Sequence, residues 1–410
     1  MDTFAAVHPP QKHLPLIALY LADTVSIVGN RFTTLSVPWF VLITTGSVTK
    51  TGITGAVTAL SFVASLFGGS LVDRFGFKRV SVAADLTSGI AVALVPLLYH
   101  TVGLAYWQLL LLVFLRAFCN TPGGTARSAL MPDLIALAGV RRERANGFYD
   151  AAANSGYLVA AALVGILIAW IGASNMLWLD GATFLFSATV IGLAIPATRR
   201  VQLTKREGYL ASLTEGWHFL TKDRPLLTLT IVSTIANFTA AALTTVVMPV
   251  YAQRVYGTAV SLGVLFGTFA AGVIVGALVA SAVGLHLPRH LLYGGAIVVY
   301  GGVLCLLALT PPLIVAAAII FVQGMANGPI NLTALTVMQE RIPSALRGRV
   351  FGTSRALGFA ATPLGGLVAG YIVAGFGVQA AIVGISVLLV AVGAWMMGSR
   401  AMWAIRPPTS

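Results

Sequence analysis

The chain has only twelve acidic residues, and several of them fall inside stretches that are otherwise apolar. Asp23, Ser26 and Asn30 recur at i, i+3, i+7 and therefore share one face of a helix, with Arg31 beside it. Arg116 lies near the middle of another apolar stretch, and Asp85, Asp150, Asp180 and Arg355 lie nearer the ends of others. A charge left alone in hydrocarbon costs about 2.5–3.5 kcal/mol on insertion scales, so each of these residues needs a partner or a purpose. A carboxylate that alternates between dry and wet surroundings can take up and release a proton. Asp23 and Arg116, with Asn30, Arg31 and Asp150, are therefore the expected proton-coupling and substrate cavity. The other reading is a static pair such as Asp23 with Arg31. Asp85 and Asp180 read as structural, because a cap or a loop partner suffices near a helix end.

The elements that carry these charges are membrane spans. The chain is 58% hydrophobic and 9% charged, too little charge to solvate a soluble domain of 410 residues. Apolar stretches of about 20 residues recur throughout, each long enough to cross a bilayer. Twelve are expected, near 14–43, 52–72, 79–99, 105–128, 146–172, 176–196, 226–250, 260–284, 289–309, 311–338, 348–376 and 378–399. The predicted fold is thus all-α and integral to the membrane, with twelve transmembrane helices in two six-helix pseudo-repeats. Asp23, Asn30 and Arg31 in the first span exclude a cleavable leader. The net charge of +13 does not point to nucleic acid, because Lys and Arg concentrate in alternate loops. That bias puts both termini of a multi-pass membrane protein in the cytoplasm. Cys119 and Cys305 lie in apolar segments and read as packing residues rather than a disulfide.

Residues 197–225 form the longest polar stretch and the expected linker between an N-terminal half (1–196) and a C-terminal half (226–410). Within it Leu210, Leu213, Trp217 and Leu220 recur at helical spacing, predicting an amphipathic helix over 209–220 on the cytoplasmic face. The halves look like repeats. Arg144–Gly172 lies on Arg349–Gly377 without gaps, which superposes Gly147 on Gly352, Gly165 on Gly370 and Gly172 on Gly377.

Between the second and third spans the chain reads Gly69-Ser-Leu-Val-Asp73-Arg74-Phe-Gly76-Phe-Lys78-Arg79. This spacing resembles the loop signature of the major facilitator superfamily of secondary transporters. Val37-Pro38-Trp39, Ala145-Asn146, Met248-Pro249-Val-Tyr251 and Leu346-Arg-Gly-Arg-Val-Phe-Gly352 resemble its bacterial exporters of enterobactin and macrolides. The resemblance implies a cytoplasmic gate of Gly69, Asp73, Arg74, Gly76, Lys78, Arg79, Asp133, Arg349 and Arg355. There Asp73 would meet the start of span 11, and the basic residues would pair with Asp133 or Glu143. Gly358, Pro363, Gly365 and Gly366 resemble the superfamily's antiporter helix-packing motif, here in span 11; span 5 lacks the proline. The branch's usual acidic residue in span 1 is replaced within Gly29-Asn30-Arg31, which favours an anionic or neutral substrate.

The function implied is proton-coupled efflux of small amphipathic compounds (drug, macrolide or siderophore-like) by alternating access. An importer of a small metabolite and a transporter-fold sensor remain open alternatives. No phosphate loop, His-Glu-x-x-His or nucleophile elbow is present, so no enzyme and no cofactor or metal are expected. The expected partners are a small-molecule substrate, protons and the lipid bilayer, for a monomer that binds no nucleic acid. Phe32, Trp39, Tyr157, Phe238, Tyr251, Phe266 and Phe359 are candidates to line an apolar cavity.

Overall fold

The structure is a computed structural model, and it describes residues 13–61, 74–196, 209–283, 288–343 and 346–399. Gly69 and Asp73 lie outside the described residues, as does the side chain of Asp150. All the regular elements described are helices: α1 (Leu14–Thr45), α2 (Val48–Leu60), α3 (Phe77–Thr101), α4 (Tyr106–Ala138), α5 (Arg142–Ile171), α6 (Ala173–Ala194), α7 (Tyr209–Lys222), α8 (Arg224–Ala242), α9 (Ala259–Val283), α10 (Arg289–Cys305), α11 (Leu313–Arg341), α12 (Arg347–Ala360), α13 (Thr362–Phe376) and α14 (Val378–Gly398). Nine helical segments among the described residues are long and apolar enough to cross a bilayer. Trp170, Leu193, Ile314 and Phe376 are 85%, 84%, 81% and 80% exposed, an outer surface suited to lipid rather than water.

Several spans end where backbone chemistry requires it. Gly139 closes α4 with φ 65°, a conformation that costs glycine nothing, and its N–H returns to the α4 carbonyls. The helix therefore runs to Ala138, well beyond the expected end near 128. Gly172 and Gly377 end α5 and α13 with φ 85° and 89°. Helix α8 continues through two wide π turns, Leu243–Val247 and Ala252–Tyr256, on either side of Met248–Tyr251. Pro249 has no N–H for the regular ladder, and a slipped hydrogen-bond register is the usual response to such a defect. The stretch 347–376 is broken at Ala361, and Pro363 falls in the first turn of α13, where its missing donor costs nothing.

The chain gathers into two compact units. The first comprises Met1–Thr33, Ser61–Ala160 and Ser174–Thr204; the second comprises Thr34–Leu60, Ala161–Ala173 and Lys205–Ser410. In the first unit, Leu16, Leu19 and Tyr20 of α1 join Leu130 and Leu134 of α4 and Ile191 of α6 in one apolar cluster. The Tyr20 hydroxyl donates to the carbonyl of Ala145 at 3.0 Å, tying α1 to the start of α5.

The second unit is held by backbone-to-backbone approach at small residues. A Cβ on Gly165 would lie 2.5 Å from the Cα of Gly263, and one on Gly52 would lie 2.9 Å from the Cα of Gly370. A Cβ on Gly365 would lie 2.1 Å from the carbonyl oxygen of Phe238, and one on Gly366 would lie 2.9 Å from the hydroxyl of Thr245. Lipid tails are as apolar as the helix surfaces, so such close contact rather than water exclusion drives association. Helix α7 docks on α12. Gly216 presses against Arg349 and Thr353, the Thr353 hydroxyl reaches the Leu213 carbonyl at 3.3 Å, and Glu215 pairs with Arg349. Leu220 is buried with Leu226, Ile342 and Val350, while Trp217 points outward. Trp217 and Leu220 of the expected apolar stripe thus do not share one fate.

Filling a glycine contact should overpack the interface. Gly263→Leu is expected to cost about 1–3 kcal/mol, read as a lower unfolding midpoint in detergent. Gly302→Ala, where an added Cβ meets nothing within 4 Å, should leave that midpoint unchanged or slightly raised.

Candidate functional site

Two buried charge clusters occupy the first unit, and both hang from α4. Arg116 and Arg127 are separated by 11 residues, close to three full turns, so their side chains emerge on the same helix face. The helix carries both guanidinium groups inward, where they are only 4% and 5% exposed.

The first cluster joins α1, α4 and α6. Arg116 donates through Nε at 2.9 Å and through Nη2 at 2.7 Å to Asp180 Oδ2. The same Nη2 donates to Asn30 Oδ1 at 2.8 Å, and Asn120 donates to that oxygen at 3.1 Å. The Thr33 hydroxyl donates to Asp180 Oδ2 at 2.5 Å. The guanidinium lies 5.5 Å from the ring centroid of Phe184, a cation–π distance. From α3, the Ser88 hydroxyl donates to the Arg116 carbonyl at 3.1 Å. Gly29 makes room for this approach: a Cβ there would lie 1.9 Å from Thr183 Oγ1 and 2.5 Å from Asp180 Oδ1. One guanidinium against one carboxylate leaves this cluster electrically balanced.

The second cluster joins α1, α3, α4, α5 and α6. Arg127 Nε meets Asp23 Oδ1 at 2.5 Å as an ion pair, and Nη1 donates to Asp85 Oδ1 at 2.7 Å. The Ser187 hydroxyl donates to Asp85 Oδ2 at 2.6 Å. The Tyr149 hydroxyl donates to Asp23 Oδ2 in a short contact. Here one guanidinium faces two carboxylates.

Several expected pairings differ from those found. Asp23 pairs with Arg127 rather than Arg31, which lies eight residues further along α1, about 12 Å of helix rise away. Asp85 and Asp180 are fully buried ion-pair partners rather than caps. The sequence pattern does not single out Arg127, which falls beside the expected span end near 128. Its signal was nevertheless present, as the 11-residue interval from Arg116.

The remaining expected site residues sit as follows. Arg31 is exposed on α1, and Asp133 is exposed on α4. Arg74 stacks on Phe75 at 5.3 Å, and Gly76 precedes α3 with φ 87°. Lys78 donates to the carbonyl of Ile195 at 2.6 Å rather than pairing with Asp133 or Glu143, placing its charge where a helix dipole favours a cation. Glu143 lies 3.8 Å from Arg141, and Arg79 is exposed. Arg349 meets Glu215, and Arg355 lies 6.0 Å from the ring centroid of Phe359. Gly358 is buried near Ser233 and Asn237, and Phe32, Trp39 and Tyr251 are buried packing residues. Among the described residues, no group of three or more His, Cys, Asp or Glu could hold a metal ion.

Multiple apolar spans with buried, hydrogen-bonded ion pairs define a multi-pass membrane protein of the kind that moves solutes. The sequence model of the Major Facilitator Superfamily matches residues 19–365 and, a second time, 232–410, and the chain belongs to that family. It is 31% identical over 392 residues to the multidrug efflux pump Tap of Mycobacterium tuberculosis, covering 92% of each chain. It is 22% identical over 362 residues to macrolide efflux protein A of Streptococcus pyogenes, covering 86% of this chain and 87% of the other. In fold it is similar to the nucleoside transporter NupG (TM-score 0.78, 13% identity, 96% and 100% coverage). It is also similar to a bacterial homologue of the lysosomal transporter Spinster (TM-score 0.74, 17% identity, 98% and 100% coverage).

Removing one partner of a buried pair strands the other. Asp180→Leu is expected to lower stability in detergent by roughly 3–5 kcal/mol. Arg116→Met combined with Asp180→Leu should recover most of that loss, as measured by unfolding midpoints.

Proposed function

We propose that this chain is a proton-driven efflux transporter of small amphipathic compounds, of the drug, macrolide or siderophore-like class. It acts as a transporter rather than an enzyme. The observation that carries the reading is the likeness to a multidrug efflux pump across 92% of both chains. The buried charges of the first unit are its mechanistic support. Substrate would bind at a midplane cavity bordered by Asp23, Asn30, Arg31, Arg116 and Asp150, and proton binding there would reset the access of that cavity.

In this reading the protein crosses the bacterial inner membrane twelve times as a monomer, and the concentration of Lys and Arg in alternate loops favours cytoplasmic termini. Its halves are 1–196 and 226–410, joined by 197–225. Two facts favour the repeat: Gly172 and Gly377 both end their helices in the left-handed region, and Gly165 and Gly370, superposed by the repeat, each meet a glycine of another helix. Alternating access then follows from rocking one repeat against the other around the substrate. The cytoplasmic gate comprises Gly69, Asp73, Arg74, Gly76, Lys78, Arg79, Asp133, Arg349 and Arg355. Gly358, Pro363, Gly365 and Gly366 let span 11 bend and pack.

Inverted membrane vesicles test this directly. With a pH gradient preset, a macrolide, dye or catecholate compound that is a substrate should collapse the gradient in wild-type vesicles. Asp23→Asn and Arg116→Ala should reduce that response by roughly 10-fold or more, the scale on which loss of one essential proton or charge partner is felt. Transport without proton movement, or unaffected variants, would overturn the coupling and move the assignment to a uniporter, an importer or a sensor.

A further inference from the structure

Arg355 is a cation inside a membrane span to which its own unit commits no carboxylate. The second unit contains four carboxylates: Glu207, Glu215, Asp223 and Glu340. Glu215, Asp223 and Glu340 pair with Arg349, Arg341 and Arg289, and Glu207 lies in the linker, outside the described residues. Arg355 is the ninth residue of α12, about 12 Å of helix rise beyond Arg347. Among the described residues it makes no hydrogen bond and no ion pair; its guanidinium carbon lies 6.0 Å from the ring centroid of Phe359.

The packing of α12 explains why the group stays open. One face is committed. The Thr353 hydroxyl reaches the Leu213 carbonyl of α7, Ser354 meets Thr230 of α8 at 2.9 Å, and the Thr234 hydroxyl donates to the Leu357 carbonyl at 3.2 Å. Gly348, Gly352, Arg355 and Phe359 follow at i, i+4, i+7 and i+11 and share another face. Arg355 and Phe359 are exposed, and a Cβ on Gly348 or Gly352 would meet nothing within 4 Å among the described residues. Charged side chains at membrane depth face a bundle interior or a water-filled cavity rather than lipid. This face is therefore accessible to a ligand and carries a cation beside an aromatic ring.

We propose that Arg355 and Phe359 form a subsite for the negatively charged aromatic part of an amphipathic substrate. The substrate role rests on the efflux reading above and narrows its substrate class; anion binding itself does not rest on it. A guanidinium grips a carboxylate, phenolate or phosphate through parallel N–H donors, which an ammonium cannot do. Phe359 fixes the guanidinium beside its ring and gives a flat apolar ligand a surface to stack on. The bound anion supplies the negative charge that the unit's own carboxylates do not. A catecholate fits this description, and a cation does not.

The test is equilibrium binding to the purified full chain in phosphatidylcholine nanodiscs, corrected for empty discs. Naphthoate, naphthamide and naphthylmethylammonium present one ring with negative, neutral and positive charge. Wild-type protein should bind naphthoate at least about 10-fold more tightly than naphthamide, the scale of a charged hydrogen bond, and the cation weakest. Arg355→Gln should remove that preference while unfolding at the wild-type midpoint, because it strands no partner. If it fails to fold, Arg355→Lys gives the reading, with the preference reduced but kept. Phe359→Leu should weaken naphthoate by about 2- to 5-fold. Arg254→Gln, exposed at the far end of α8, should change nothing. No naphthoate preference in the wild type, or an unchanged one in Arg355→Gln or Arg355→Lys, overturns the site. An Arg355→Gln protein that loses transport but keeps the preference has lost a gate contact, which also overturns it. Phosphatidylglycerol added to the discs separates the two sources of amphipathic anion: undiminished naphthoate binding supports the substrate role, and displacement assigns the site to lipid and overturns that role. Arg355-dependent binding in a protein whose vesicles export nothing supports the anion site and rejects the efflux reading.

Discussion

Two guanidinium groups on one face of α4 set the register of the first unit. Arg116 holds α1 through Asn30 and α6 through Asp180, and Arg127 holds α1 through Asp23 and α3 through Asp85. Hydrocarbon gives neither group an alternative partner, so the packing of these helices must bring each carboxylate to its arginine. Helical spacing makes this possible because 11 residues return the side chain to the same face. The small residues around the pairs follow from the same demand. Gly29 and Gly123 sit where a methyl group would collide with the ion-pair shell or its neighbouring helix.

The second unit is built on a different principle. Among its described residues Arg341 pairs with Asp223, Arg289 with Glu340 and Arg349 with Glu215, all partly exposed. Such pairs are screened and contribute little to stability. Its cohesion comes instead from glycines that let backbones touch: Gly52 on Gly370, Gly165 on Gly263 and Gly365 on Phe238. Van der Waals contacts of this kind allow one helix to slide or separate without stranding a charge.

Much of this was legible in the residues, for reasons that can be named. Long apolar runs announce membrane helices because hydrocarbon tolerates nothing else, and the described helices fall where those runs lie. Asp23, Asn30 and Arg116 stood out because buried polar groups are costly, and they do lie in the buried clusters. Partner choice was not legible. Asp180 and Asp85 looked like end caps, since distance along a chain says nothing about which helix lies opposite. Arg127 does not stand out because it falls beside the expected span end near 128, whereas α4 continues to Ala138. The apolar stripe of α7 was visible, but not that Leu220 would turn into the protein and Trp217 away from it.

The central claim is that the buried charges of the first unit exchange a proton for substrate. Proton release on substrate binding tests it most directly, using purified wild-type protein in weakly buffered detergent with a pH indicator and a macrolide titrated to saturation. Linkage requires that a substrate favouring the deprotonated state expel the proton, so the account predicts release of about one proton per chain, and none from Asp23→Asn. Saturable macrolide binding to the wild type with no change in bound protons would contradict it.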